Sequence, residues 1–238
     1  MELYILTIIA LIAGIVQGVT GFGAGIVMMM VLPMFYALPQ SAGISGAISI
    51  ILCATMVYTY REHIDLKKIV GPSFLYLIVC SIVIHFSTTI DQVLMKKVFG
   101  IFLVVLCIYY LFINKSDEKK ELNLFISLFC IVVSAICDGL FGIGGPLMVL
   151  YFLDKTHHTY EYLGTIQTFF MINCIYNTGF RIFKGIITFD HLIIIGCGII
   201  GILVGGMIAK RLVDKLDGTL LKKLTYVMIG ISGIINLF

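Results

Sequence analysis

Charge is what this chain has least of. Asp, Glu, Lys and Arg together make up 12% of its 238 residues, about half the share usual in soluble domains, and no polar stretch is long enough to form a separate water-exposed domain. That excludes an ordinary soluble globular protein. The formal net charge of +3 is small and supplies no basic face for nucleic acid. Metal-ligand spacing is missing as well: there is no CxxC and no His/Cys cluster. The seven cysteines (Cys53, Cys80, Cys107, Cys130, Cys137, Cys174, Cys197) all lie in apolar segments, where they read as small packing residues. His157 and His158, beside Tyr160, have no companion ligands and read as solvated loop residues. Met28, Met29 and Met30 are consecutive, so they face three directions on a helix and read as packing rather than a metal path. Absence of HExxH, of GxSxG and of two acidic residues paired within one apolar segment argues against an intramembrane enzyme. No nucleotide motif is present, so direct ATP coupling by this chain is not expected, and no cofactor is implied. A basic leader is also lacking: Met1-Glu2 runs straight into apolar sequence with no small-residue cleavage site, which predicts a retained first segment.

What fills the chain instead is apolar sequence, 60% of all residues. The expectation is an all-α polytopic membrane protein, because a helix satisfies every backbone group within its own segment. Leu3 to Val19 and Ala24 to Leu38 form a first hairpin, followed by apolar runs Ala42 to Tyr60, Ile69 to Phe86 and Val98 to Ile113. A charged stretch, Asn114 to Glu121, then interrupts the pattern. After it come Leu122 to Cys137, a short run to Leu153, then Tyr162 to Phe180, Leu192 to Ala209 and Leu220 to Phe238. The predicted organisation is therefore a first membrane repeat, 1–113, a linker, 114–121, and a second membrane repeat, 122–238.

Glycines carry the repeat. Gly18-Val-Thr-Gly-Phe-Gly-Ala-Gly25 in the first half is matched by Gly139-Leu-Phe-Gly-Ile-Gly-Gly-Pro146 in the second, with Gly18, Gly21 and Gly23 falling on Gly139, Gly142 and Gly144. A second block agrees: Asp91, Leu94, Lys96, Lys97, Leu111 and Phe112 fall on Asp217, Leu220, Lys222, Lys223, Leu237 and Phe238. Glycine weakens a helix by roughly 1 kcal/mol relative to alanine, so matched clusters inside apolar runs predict deliberately broken helices. Gly14-xxx-Gly18 and Gly201-xxx-Gly205 read instead as close-packing faces.

Basic residues set the threading. If each broken hairpin returns to the side it came from, twelve Lys/Arg share one face, and only Lys96, Lys97, Arg181 and Lys184 are opposite. If each were a single broken span, the division would be eight against eight. The positive-inside rule selects the first arrangement. It places the linker in the cytoplasm, both termini outside, and the two halves in opposite orientations, as inverted repeats of one hairpin plus three transmembrane helices. Charge does not separate a spanning hairpin from a re-entrant one. Length favours re-entry for the second, since Ile143 to Leu153 would cover roughly half of a 30 Å hydrocarbon core.

A helix that begins inside the bilayer exposes backbone N–H groups and the positive end of its dipole. Something polar must meet them there, and an anion answers both needs. The candidate substrate-binding residues are accordingly Gly21, Gly23, Gly25, Gly142, Gly144 and Gly145. Asn173, Asn177 and Arg181 join them, being spaced by four on one helix face, with an arginine whose fork of donors suits tetrahedral oxyanions. Asp138, just before the second cluster, is the counterpart of Gln17. A charge inside a span is a functional candidate by default, so Asp138 is read either as the carrier of a coupling proton or as a cap on the helix break.

These clusters, their place at the start of each half and the aspartate-then-basic ends of both halves resemble the sulfite exporter TauE/SafE family over essentially the whole chain. The resemblance implies a secondary transporter of the cytoplasmic membrane, moving a small sulfur-containing anion such as sulfite, thiosulfate or an organosulfonate by alternating access. Ala24 and Pro146 stand where family members often carry another glycine, which leaves the choice of anion open. A passive anion channel, or the membrane subunit of a larger uptake system, are the competing readings. So short a chain is also compatible with a homodimer.

Overall fold

The structure is a computed structural model that describes residues 2–108 and 123–212. Among these residues the only regular structure is helical: α1 Glu2–Thr20, α2 Ala24–Met29, α3 Leu38–Tyr60, α4 Lys67–Ser87, α5 Gln92–Ile108, α6 Leu124–Phe141, α7 Gly145–Lys155, α8 Thr159–Phe183 and α9 Leu192–Leu212. Short 3-10 turns at Leu32–Met34, Arg61–His63 and Phe189–His191 complete it. Five stretches, Leu3–Thr20, Leu38–His63, Lys67–Ser87, Leu124–Phe141 and Phe189–Arg211, are long and apolar enough to cross a membrane. The all-α polytopic fold follows. The linker Asn114 to Glu121 and the last predicted span, Leu220 to Phe238, lie outside the described residues.

Several boundaries move for local reasons. The run expected from Ala24 to Leu38 is not one helix: α2 stops at Met29, and α3 starts at Leu38, ahead of the expected Ala42. Pro39 sits in its first turn, where a missing N–H costs nothing. Similarly, α5 begins at Gln92 rather than Val98, because Asp91 Oδ1 accepts a hydrogen bond from Leu94 N at 2.8 Å, an N-cap that starts the helix ahead of its apolar part.

Both glycine clusters break their helices as expected. α1 ends where Gly21 (φ +80°) and Gly23 (φ +107°) take up left-handed backbone, and α6 ends at Gly142 (φ +66°), a conformation costing an L-residue about 1–2 kcal/mol. Around these breaks the halves interlock reciprocally. α1 packs along α9, α6 packs along α4, and α3 packs against α8. The α1–α9 seam is built from small residues: a Cβ added to Gly14 would lie 3.1 Å from Gly206 N, and one added to Gly205 would lie 3.1 Å from Gly14 Cα. Backbones this close gain dispersion contacts that lipid cannot supply. Outward faces stay apolar, as in the row Phe74, Ile78, Ile82 and Phe86 on α4, spaced by four on one face. Lys68 at the start of α4 hydrogen-bonds Glu161 in the first turn of α8. That bond holds the Glu161 carboxyl below the usual glutamate range.

Candidate functional site

α6 carries no charge until its last turn, where Asp138 lines an internal cavity. The chain leaves the helix at Gly142, whose N–H bonds Asp138 O at 2.8 Å. Ser134 Oγ folds back to hydrogen-bond Gly144 O. α7 then starts at Gly145 with Pro146 in its first turn, and its N-cap, Gly144, brings no side chain to cover the exposed N–H end. Close approach requires glycine here: a Cβ on Gly144 would overlap the Tyr76 hydroxyl and lie 2.9 Å from the Asp138 Cβ.

α8 faces this break with Asn173, Asn177 and Arg181, all buried, the arginine only 2% exposed. Asn177 Nδ2 donates to Asp138 Oδ2 at 2.7 Å. Arg181 Nη2 donates to Asp138 O at 3.1 Å and to Gly139 O at 2.9 Å, taking up carbonyls at the C-terminal end of α6, where a cation is favoured. Its Nε–H, and the amide oxygens of Asn173 and Asn177, are buried without a partner. Such groups cost about 1–3 kcal/mol each when left unmet. Arg181 forms no ion pair among the described residues, so a guanidinium charge is held out of water with its Nε–H unmet.

These groups surround a cavity of about 70 Å³, room for about five waters or one small oxyanion at 10–15 Å³ per water. Of the residues singled out from the sequence, Gly23, Gly25, Gly142, Gly144, Gly145, Asn173, Asn177, Arg181 and Asp138 all line it. Gly21 does not; it packs against Leu163, and its carbonyl accepts from Gln167 Nε2 at 2.5 Å. Sequence reasoning missed Tyr76, Ser45 and Ser49, which also line the cavity. For the two serines there was a signal, since they lie four apart on α3 and so share a face; a tyrosine among apolar neighbours gave none.

The two breaks meet but are not equivalent. A Cβ on Gly25 would lie 2.8 Å from Gly142 O, and one on Gly145 would sit 3.7 Å from Phe22. At the first break, however, Gln17 Oε1 accepts from Ala24 N, the first N–H of α2, at 3.3 Å. Gln17 Nε2 donates to Gln167 Oε1 at 3.1 Å, which closes that end with side-chain amides. At the second break, the position equivalent to Gln17 is Asp138, and the position equivalent to Gln167 is Gly46, which lines the cavity. One end is capped by two amides, of which Gln17 also lines the cavity; the other has no such pair and stands beside an arginine.

Comparison with known proteins supports the same class. The family model described as Sulfite exporter TauE/SafE matches residues 6–235. A Methanocaldococcus jannaschii protein described as a probable membrane transporter is 27% identical over 161 residues, 61% of this chain and 59% of that protein. The alignment therefore spans less than two thirds of that relative. No solved structure matches the chain.

Proposed function

Since the chain belongs to the sulfite exporter TauE/SafE family and is, like its relative, a membrane transporter, we propose that it moves a small anion across the cytoplasmic membrane by alternating access. The sulfur-containing class, sulfite, thiosulfate or an organosulfonate, is taken from the family. The observation that carries the anion is Arg181, a buried residue that lines the cavity, forms no ion pair among the described residues and leaves its Nε–H unpartnered. Guanidinium is the side chain best matched to tetrahedral oxyanions, and the open N-terminus of α7 adds backbone donors and a positive dipole end.

Asp138 supplies the coupling. As a carboxylate it opposes the Arg181 charge and repels an anion from the same cavity; once protonated it leaves Arg181 uncompensated and the cavity attractive to an anion. Substrate and proton would then be carried together. Rocking of the two halves about α3 and α8, inverted with respect to each other, would open the cavity alternately to either side. A binding-competent state needs no new charge beyond the one that Arg181 already carries.

The test is uptake of radiolabelled sulfite, thiosulfate and sulfoacetate into proteoliposomes with and without an imposed pH gradient. Saturable flux is expected for at least one anion. In Asp138→Asn, which keeps the shape and loses the proton, only the gradient-driven part should vanish. Linear, non-saturating flux that shows no countertransport would mean a channel, and no flux of any of the three through folded protein would remove the anion class.

A further inference from the structure

Two residues that line the cavity are one position seen twice. Cys53 on α3 and Cys174 on α8 stand at the offset that puts Gly18 on Gly139, and both line the cavity as free thiols. They also touch, the Cys174 side chain hydrogen-bonding that of Cys53. Equivalent residues in contact with each other lie at the axis that relates the two halves. Close antiparallel packing brings them there: a Cβ on Gly46 would lie 3.2 Å from Thr178 Oγ1, and one on Gly164 would lie 2.9 Å from Tyr60 O, so α3 and α8 are held together on both sides of the pair. Gln17 Nε2 donates to Cys53 Sγ at 3.4 Å, which fixes that sulfur beside its partner. Thiols in contact on helices packed this closely are within reach of a disulfide, which spans Cα separations of up to about 7 Å.

We infer that Cys53 and Cys174 are a redox modification site, at which a small peroxide entering the cavity forms a disulfide that ties the first half to the second at their axis. Size selects the oxidant. The cavity measures about 70 Å³, so hydrogen peroxide, with two heavy atoms, fits, whereas a peptide disulfide such as oxidised glutathione does not. Cys53 is only 1% exposed and Cys174 is partly buried, so the peroxide meets Cys174. Its sulfur attacks one oxygen, the O–O bond breaks, and the other oxygen leaves with the thiol proton as water, giving a sulfenic acid. The Cys53 sulfur then attacks the Cys174 sulfur, the S–O bond breaks, and a second water carries away the Cys53 proton. Two thiols and one peroxide become one disulfide and two waters. The step is independent of which solute the protein carries.

The test treats the purified full-length protein in nanodiscs with hydrogen peroxide or with oxidised glutathione, blocks the remaining thiols by alkylation, and maps the cysteines by mass spectrometry without reduction. Peroxide should yield a peptide pair joining Cys53 to Cys174, within one chain and lost on treatment with dithiothreitol after unfolding. Oxidised glutathione should yield neither that pair nor a mixed disulfide at either cysteine. A bridge between residues so far apart in sequence restricts the unfolded chain, so peroxide should raise the melting temperature of wild type by several degrees. Cys53→Ser, or Cys174→Ser if the first does not fold, should show no rise. Sulfinic acid at Cys174 beside an unreacted Cys53 overturns the pairing, as does folded wild type in which peroxide leaves both thiols free. Bridging by oxidised glutathione as fast as by peroxide overturns the selection by size.

Discussion

Two helix breaks with the same glycine pattern have been put to opposite uses. At the first, Gln17 and Gln167 hold each other and also bond Ala24 N and Gly21 O, so the groups exposed by the break are consumed internally. At the second, the equivalent positions are Asp138 and Gly46, with no amide pair between them, and both line a cavity that Gln17, Gly23 and Gly25 of the first break also reach. The lesson is that a glycine break only creates unmet backbone groups. What the neighbouring helix brings to them decides whether the result is a joint or a site. An amide side chain carries both donor and acceptor and can close the ring; an ionised carboxylate carries acceptors only and must be supplied with donors, here by Asn177 on α8.

The comparison breaks most sharply at Arg181, whose counterpart in the first half is Tyr60. Arg181→Met should lower anion uptake by about 100-fold, in line with the loss of hydrogen bonds to a charged group, while Tyr60→Phe leaves it within about two-fold; initial rates at matched reconstitution decide. Gln17→Leu should do the reverse. It strands Ala24 N–H and the Gln167 amide oxygen, which costs about 1–3 kcal/mol and lowers the melting temperature in detergent, yet leaves the proton dependence of transport intact. A fall in transport as large as that of Arg181→Met would show the first break to be a site after all.

Backbone substitutions sharpen the same contrast. Gly142→Ala forces an L-residue to φ +66° and sets its Cβ 3.0 Å from Ala42, so a loss of about 1–2 kcal/mol is expected. Gly179→Ala, on α8 where an added Cβ meets nothing within 4 Å, should be neutral or stabilise by up to about 1 kcal/mol. Thermal unfolding of the pair reads the difference. The smallest effect belongs to the Lys68–Glu161 pair at the ends of α4 and α8. Glu161→Gln should cost less than about 1 kcal/mol. Because the folded carboxyl sits below its ordinary range, the pair contributes above the unfolded glutamate value and is lost as pH falls through the folded one.

Much of this was legible along the chain. The glycine clusters announced both breaks, Gly14-xxx-Gly18 and Gly201-xxx-Gly205 announced close-packing faces though not that they meet each other, and the four-residue spacing of Asn173, Asn177 and Arg181 announced one polar face. What periodicity could not supply was pairing across long separations. Gln17 meets Gln167 only because α1 and α8 are brought together by the fold, and nothing in either local sequence says that one break will be closed and the other left open. Tyr76 was invisible for the same reason, being one aromatic among apolar residues until α4 packs on α6. The early start of α5 was hidden because its first turns carry Lys96 and Lys97, whereas the Asp91 cap depends on local geometry rather than hydropathy.

The most direct test of the account is equilibrium binding of the transported anion to wild type, Arg181→Met and Gln17→Leu, each shown to be folded in nanodiscs, at pH values on either side of neutrality. The account predicts that affinity disappears in Arg181→Met, persists within a few-fold in Gln17→Leu, and in wild type strengthens as pH falls. Wild-type affinity in folded Arg181→Met would contradict it.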